Sequence, residues 1–176
     1  MRSELGCSRH STFTLLVLIV LAFATPGSSA AAGRGAAGSM VERLQLLVID
    51  LKERLSLPAP VVVSIVPSNK LMMSVEAPAD ENGPFLLSID ASFLETLTPD
   101  ELEAAIAHEL GHVWVFTHHP YLQTEELANQ IAMRAVSRES LERVYGKVWE
   151  RGGTKGDLVR FLGPPPTLQA EESNSR

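Results

Sequence analysis

AAIAHELGHVWVFTHHPYLQTEELANQIA, residues 104–132, decides how this chain is read. It either holds a catalytic zinc or is an ordinary pair of helices that carries histidines. His108 and His112 are four positions apart. Four helical residues advance about 400°, so the two imidazoles project from nearly the same side, one turn apart. That spacing lets both rings reach one metal ion at about 2.0–2.1 Å. Glu109 follows His108 and is rotated from it by about 100°, so it borders such an ion without coordinating it. A carboxylate in that place can take a proton from a zinc-bound water and pass it on to a leaving amine. The bland alternative, satisfied polar residues on a partly exposed helix, suits a lone histidine better than this pair with Glu109 between. A structural zinc site is disfavoured because such sites are usually cysteine-rich, and the only cysteine is Cys7.

The surrounding sequence predicts a strong helix. In LTPDELEAAIAHELGHVWVF (97–116), Thr98 is a natural N-cap, Pro99 sits at the first helical position, and Glu101 completes a capping box. Asp100 and Glu101 suit the positive end of the helix dipole. Leu102, Ile106, Leu110, Val113 and Thr117 recur three or four apart and are expected to face the core. Pro120 disfavours a helical residue before it, so the helix should end by His119. Gly111 keeps the helix thin between the histidines, so that a substrate strand or a neighbouring helix can come close.

The residues offer two third ligands. One is a glutamate in TEELANQIA (124–132). Glu125 and Asn129 share a helix face that can point at the first helix, with the small Ala128 and Ala132 beside it. Asn129 would then support a ligand histidine through its side-chain carbonyl. Glu126, about 100° away, is the reserve, and both glutamates also read as ordinary first-turn acids. The other candidate is His118, which gives the H-E-x-x-H-x-x-G-x-x-H spacing of metzincins except that Val115 stands where that pattern has its turning glycine. On a continuing helix His118 lies about 240° from His112.

LTPDELEAAIAHELGHV, with the strand-like FLLSID before it and EELANQIA after it, resembles the gluzincin zinc metallopeptidases. Within them it is similar to the branch that contains the CAAX prenyl endopeptidase and its periplasmic bacterial relatives. The resemblance spans roughly residues 85–162 and is most specific over 97–113. It implies a zincin-like fold and zinc-dependent peptide-bond hydrolysis, with His108, His112 and Glu125 as zinc ligands and Glu109 as general base. Matched position by position, EELAN puts Glu125 in the ligand place and Ala128 and Asn129 in the last two. Asn129 stands where the family has an aspartate that braces the first histidine, and the domain is small for the branch. A catalytically weak binding or accessory module is therefore kept as the alternative, as is the His118 site.

Outward from this centre, the sequence predicts an α+β domain over residues 40–163. Met40, Val41, Leu44, Leu47 or Val48, Leu51 and Leu55 trace a helix that Pro58 stops. VVVSIV (61–66), LMMSVE (71–76) and FLLSID (85–90) read as strands of a small, mostly antiparallel sheet packed against the HExxH helix and the ligand-bearing helix after it. FLLSID is expected to be the edge that aligns an extended peptide or protein substrate. Further helices are expected over about 123–136 and 140–150, with a last short one in TKGDLVRFL. No side chain is singled out for stabilising an oxyanion among Tyr121, His118, Arg134, Tyr145 and Arg160.

The chain of 176 residues opens with a basic, polar start, an apolar run FTLLVLIVLAFA and a small-residue segment. That order matches a secretory signal peptide over 1–30, followed by a flexible leader (31–39). The protein is thus expected to be periplasmic or secreted, with membrane association only if the N-terminal segment is retained. Cys7 leaves with that peptide, so the exported domain has no disulfide. Without Arg2, Arg9 and Glu4, 13 basic and 20 acidic residues remain, a balance of −7. No basic patch stands out, which argues against a nucleic-acid partner. Residues 164–176 are expected to be a disordered tail.

Overall fold

The computed structural model describes residues 29–80 and 83–165, of which 29–38 as backbone only. All but the last two residues of the expected signal segment, and nearly all of the expected tail, lie outside the described residues. Helix α1 (Ser29–Arg54) is followed by β1 (Val61–Val66), β2 (Met73–Glu76), β3 (Phe85–Asp90) and the short α2 (Ala91–Leu94). Then come α3 (Pro99–His118), α4 (Glu125–Ala132), α5 (Arg138–Gly152) and α6 (Leu158–Leu162). The segment expected as a flexible leader is helical backbone continuous with α1. Its four alanines favour helix and its three glycines oppose it, so this stretch continues a helix already held by packing from residue 40 onward. Leu44, Val48 and Leu51 form the buried stripe of α1, and Leu55 just beyond its end continues it.

The three strands lie in the order β1-β3-β2. The sheet is mixed rather than mostly antiparallel: β1 runs parallel to β3 over six residue pairs, and β2 antiparallel to β3 over four. The loop between β1 and β2 explains the difference. It crosses the end of β3, where the Asn69 N–H donates to Asp90 Oδ2 (3.0 Å), Asn69 Nδ2 donates to the Ser88 carbonyl (3.1 Å) and the Asp90 N–H donates to the Met72 carbonyl (2.8 Å). The chain therefore passes β3's place before β2 returns, and β3 fills the gap. FLLSID is thus the central strand and not an edge. Phe85, Leu87 and Ile89 of this strand are buried.

The two edges differ. Along β1, the Gln45 side chain of α1 donates to the Val61 carbonyl (3.0 Å) and accepts from the Val63 N–H (3.1 Å). That amide occupies main-chain groups that another strand would need. The β2 edge instead faces α3, with Val75 opposite Glu109.

Helix α3 is the middle of the molecule. Its capping box forms as expected: the Thr98 hydroxyl accepts from the Glu101 N–H and the Glu101 carboxylate accepts from the Thr98 N–H. Ile106, Leu110 and Val113 are buried, and so are Ala104, Ala105, Ala107 and Val115, so contacts surround the helix on more than the one expected face. Thr117, expected toward the core, is exposed, and its hydroxyl donates back to the Val113 carbonyl (3.0 Å). The helix ends at His118, just before Pro120. Glu101 also joins α3 to α5 through Lys147 (2.6 Å) and Arg143 (3.7 Å).

Candidate metal centre

The site lies where the middle of α3 meets the first turn of α4. Gly111 lets them meet. A Cβ there would sit 2.2 Å from the Ala128 carbonyl oxygen and 3.0 Å from its Cα, so the two backbones are in direct contact. The neighbour that Gly111 admits is therefore α4. This contact brings the start of α4, capped by the Thr124 hydroxyl, up to the two histidines.

His108, His112 and Glu125 converge. The two Nε2 atoms are 3.2 Å apart, Glu125 Oε2 is 3.3 Å from His108 Nε2, and Glu125 Oε1 is 3.5 Å from His112 Nε2. Donors at the corners of a tetrahedron with bonds of 2.0–2.1 Å are roughly 3.3–3.4 Å apart. Two imidazole nitrogens and one carboxylate at these separations are a set that could hold a metal ion, and the fit is to zinc's preferred ligands and size.

Each histidine is steered from behind. His108 Nδ1 lies 2.8 Å from Asn129 Oδ1, and His112 Nδ1 lies 3.5 Å from Gln123 Oε1, whose amide also reaches the His112 carbonyl. Such outer partners fix which ring nitrogen is left for the metal. Asn129 is fully buried. Glu109 is buried on the β2 side of the pair and does not join the converging set. Burial pushes its carboxyl up from the ordinary glutamate range, His108 and His112 oppose this, and Glu125 adds to it. Hydrogen bonds from His108 and His112 hold the Glu125 carboxyl well below that range, against the effect of partial burial. Burial disfavours charge on His108, yet Glu125 and Glu109 together raise its pKa.

These residues open onto a cavity of about 500 Å³ between β2, α3 and α5. Leu71, Met73, Val75, Phe116 and Val148 are among the apolar residues that line it. Among the described residues, the charged or titratable groups in its lining are His108, Glu109, His112, Glu125 and Tyr145.

His118 stays out of the site. Its ring stacks on Trp114, centroids 4.0 Å apart, and Nδ1 meets the Trp114 carbonyl at 2.9 Å. Without a glycine at 115 the helix simply continues, and the ring stays on the wrong side. Glu126 also points away, where it accepts from Gln130. Of the five candidates for oxyanion stabilisation, only Tyr145 lines the cavity. Tyr121 is almost fully exposed, and Arg134 lies over Trp114. Gln123 was not among the expected site residues. It precedes the cap of α4 and carries no motif of its own.

Neither a family model nor a curated protein matches the chain. Among solved structures it is similar to the metallopeptidase zymogen of Pyrococcus abyssi abylysin, at 17% identity and a TM-score of 0.47. That overlap takes in 65% of this chain and 99% of the other. A likeness at that level decides neither activity nor ligand.

Proposed function

We propose that this protein is a zinc-dependent peptidase of the gluzincin type, in a minimal form. The observation that carries the reading is the three-way convergence of His108, His112 and Glu125 at tetrahedral spacing, with buried Glu109 beside it. A zinc ion held there would supply a Lewis acid that polarises a carbonyl and activates a water for its hydrolysis. Glu109 takes up the proton from the attacking water and returns it to the leaving amine. Its burial, beside Val75 of β2, leaves it little exposed to bulk solvent.

The substrate would be a peptide in extended conformation, laid along β2. This strand now takes the role first expected of FLLSID, because its outer edge runs past Glu109 while Gln45 occupies the edge of β1. Export, as a periplasmic or secreted protein, rests on the sequence pattern of residues 1–30. Mass spectrometry of the mature N-terminus tests it: a chain still beginning at Met1 would favour the membrane-anchored alternative.

The deciding experiment is Glu109→Gln. The amide is nearly isosteric but cannot accept the proton, so zinc content and melting temperature stay near wild type. Hydrolysis of a cleaved peptide falls by about 10²–10⁴-fold, the usual loss for a general base. Unchanged turnover rules out the assigned role of Glu109. Zinc bound without any turnover across a peptide library would support the binding-module alternative.

A further inference from the structure

The amide at position 129 is the key to a second set of residues behind the metal centre. Asn129 Nδ2 is 3.0 Å from the Phe161 main-chain carbonyl and 2.7 Å from the Tyr145 hydroxyl. A carbonyl oxygen only accepts, so the NH2 end of Asn129 must face Phe161. Its Oδ1 end must then face His108 Nδ1, and because Oδ1 also only accepts, His108 Nδ1 bears a proton whatever Nε2 carries. Nε2 is left pointing at Glu125 and His112. One NH2 hydrogen goes to Phe161 and the other to the Tyr145 oxygen. Tyr145 is thereby left with a single proton to give, and its remaining neighbour is Glu125 Oε2 at 3.4 Å. Every link in this chain has a forced direction.

The far end is anchored as well. Asp157 caps α6. The Arg138 guanidinium, at the start of α5, donates to the carbonyls of Leu162 (2.7 Å) and Gly163 (2.8 Å). The Phe161 ring packs on Tyr145, centroids 5.2 Å apart. The carbonyl that orients Asn129 thus sits on a pinned stretch of main chain.

We infer that Tyr145 and Asn129 are positioning residues: α6 fixes the Asn129 amide, which sets the His108 tautomer and commits the Tyr145 proton to ligand Glu125. The inference rests on the metal reading above and adds a rule to it. An aspartate at 129 is the wrong residue for this chain. Its carboxylate would face the Phe161 carbonyl, acceptor to acceptor. It would also draw the one Tyr145 proton away from Glu125. The acid found at this position in the resembled family would therefore weaken the site here.

The test is zinc affinity of the full chain, by competition with a coloured chelator, for wild type, Tyr145→Phe, Asn129→Asp and the double variant. Melting of the zinc-free proteins is followed alongside. Tyr145→Phe should lower zinc affinity about tenfold, the lower end for outer-shell partners, while the zinc-free protein melts within a few degrees of wild type. Asn129→Asp should also bind zinc more weakly. The double variant should bind about as Asn129→Asp does, because the hydroxyl has already turned from Glu125 in that background. A generally loosened fold would instead add the two losses and lower both melting temperatures. Wild-type affinity in Tyr145→Phe, or tighter binding in Asn129→Asp, overturns the inference. If Asn129→Asp does not fold, Tyr145→Phe alone decides. Failure of the wild type to bind zinc at these residues would instead sink the metal reading itself.

Discussion

The two helices that meet at the candidate metal centre are built in opposite ways. Helix α3 has 20 residues and brings His108 and His112 from its buried middle, behind a complete capping box. Helix α4 has eight residues and brings Glu125 from its first position. An isolated helix of that length is unstable in water, so α4 stands only by its neighbours. Those neighbours are the bare backbone of Gly111 and the pinned carbonyl of Phe161, which α4 reaches through the buried amide of its own Asn129. One helix supplies a rigid frame from local sequence, and the other supplies the candidate ligand Glu125 from borrowed order. Damage to the contact between them should cost more than damage to α3 alone.

The largest effect is expected from Gly111→Ala. The new methyl group meets backbone 2.2 Å away, not the yielding end of a side chain. The helices must separate, and a cost of about 3 kcal/mol is expected, at the upper end for overpacking. Zinc binding should fall with it, since Glu125 and Asn129 move together. Urea unfolding and chelator competition measure the two. A stable variant that still binds zinc would mean that α4 can dock without this close approach.

Next comes the proposed ligand itself. Glu125→Gln removes an anionic oxygen from the converging set and should cost more zinc affinity than the roughly 10–100-fold of outer-shell changes. His118→Gln on the tail of α3 should leave zinc affinity unchanged, because that ring stacks on Trp114 away from the site. The reverse result would replace α4 by the end of α3 as the source of the third ligand and revive the metzincin-like reading.

This contrast also sets what could be read from the sequence. Every signal for α3 lies in one continuous stretch: Thr98, Pro99 and Glu101 at its start, the histidine spacing in its middle, Pro120 after its end. Glu125 was legible for the same reason, as a face shared with Asn129 four residues on. The strand order was not. It depends on Asn69 reaching Asp90 and Ser88 across the end of β3, 21 and 19 residues later. The role of Asn129 was legible only in part. Its link to His108 followed from the helix face, but the partners that make the amide necessary, Tyr145 and Phe161, lie 16 and 32 residues onward. Spacing arguments stop at about one helix, and these contacts exist only once α5 and α6 have folded back.

A smaller effect should appear in acid. The carboxyl of Asp90 lies well below its usual range, held by the Ser92 hydroxyl first and then by the N–H groups of Asn69 and Phe93. Burial acts to raise Glu101, but Lys147 and Thr98 prevail and hold it low. Both groups therefore stabilise the fold fully above the ordinary carboxylate pKa of about 4. That stability is lost as pH falls below it and the native carboxylates protonate. These two carboxylates tie down β3 and the start of α3, whereas α4's link to α6 is a neutral amide. Asp90→Asn should be less stable than wild type at pH 7 and should lose less on going to pH 3. Parallel pH curves for the two proteins would show that Asp90 is not an acid-sensitive tie.

The smallest effect belongs to the cap of α3. Thr98→Ala deletes one hydroxyl that accepts from the Glu101 N–H at a long 3.4 Å. The other half of the box survives, because Glu101 Oε2 accepts from the Thr98 main-chain N–H at 2.8 Å whatever the side chain is. The cost should therefore sit near the low end for caps, about 0.5 kcal/mol. Glu101→Ala is a different injury. It removes that surviving half and leaves Lys147 and Arg143 of α5 without the carboxylate they share. Breaking a pair in which one partner is buried usually costs more than losing an exposed one. Urea unfolding of the two variants should therefore place Glu101→Ala clearly below Thr98→Ala. Equal losses would mean that α3 is held at its start by the cap alone, and that α5 could leave without disturbing the frame of the metal centre.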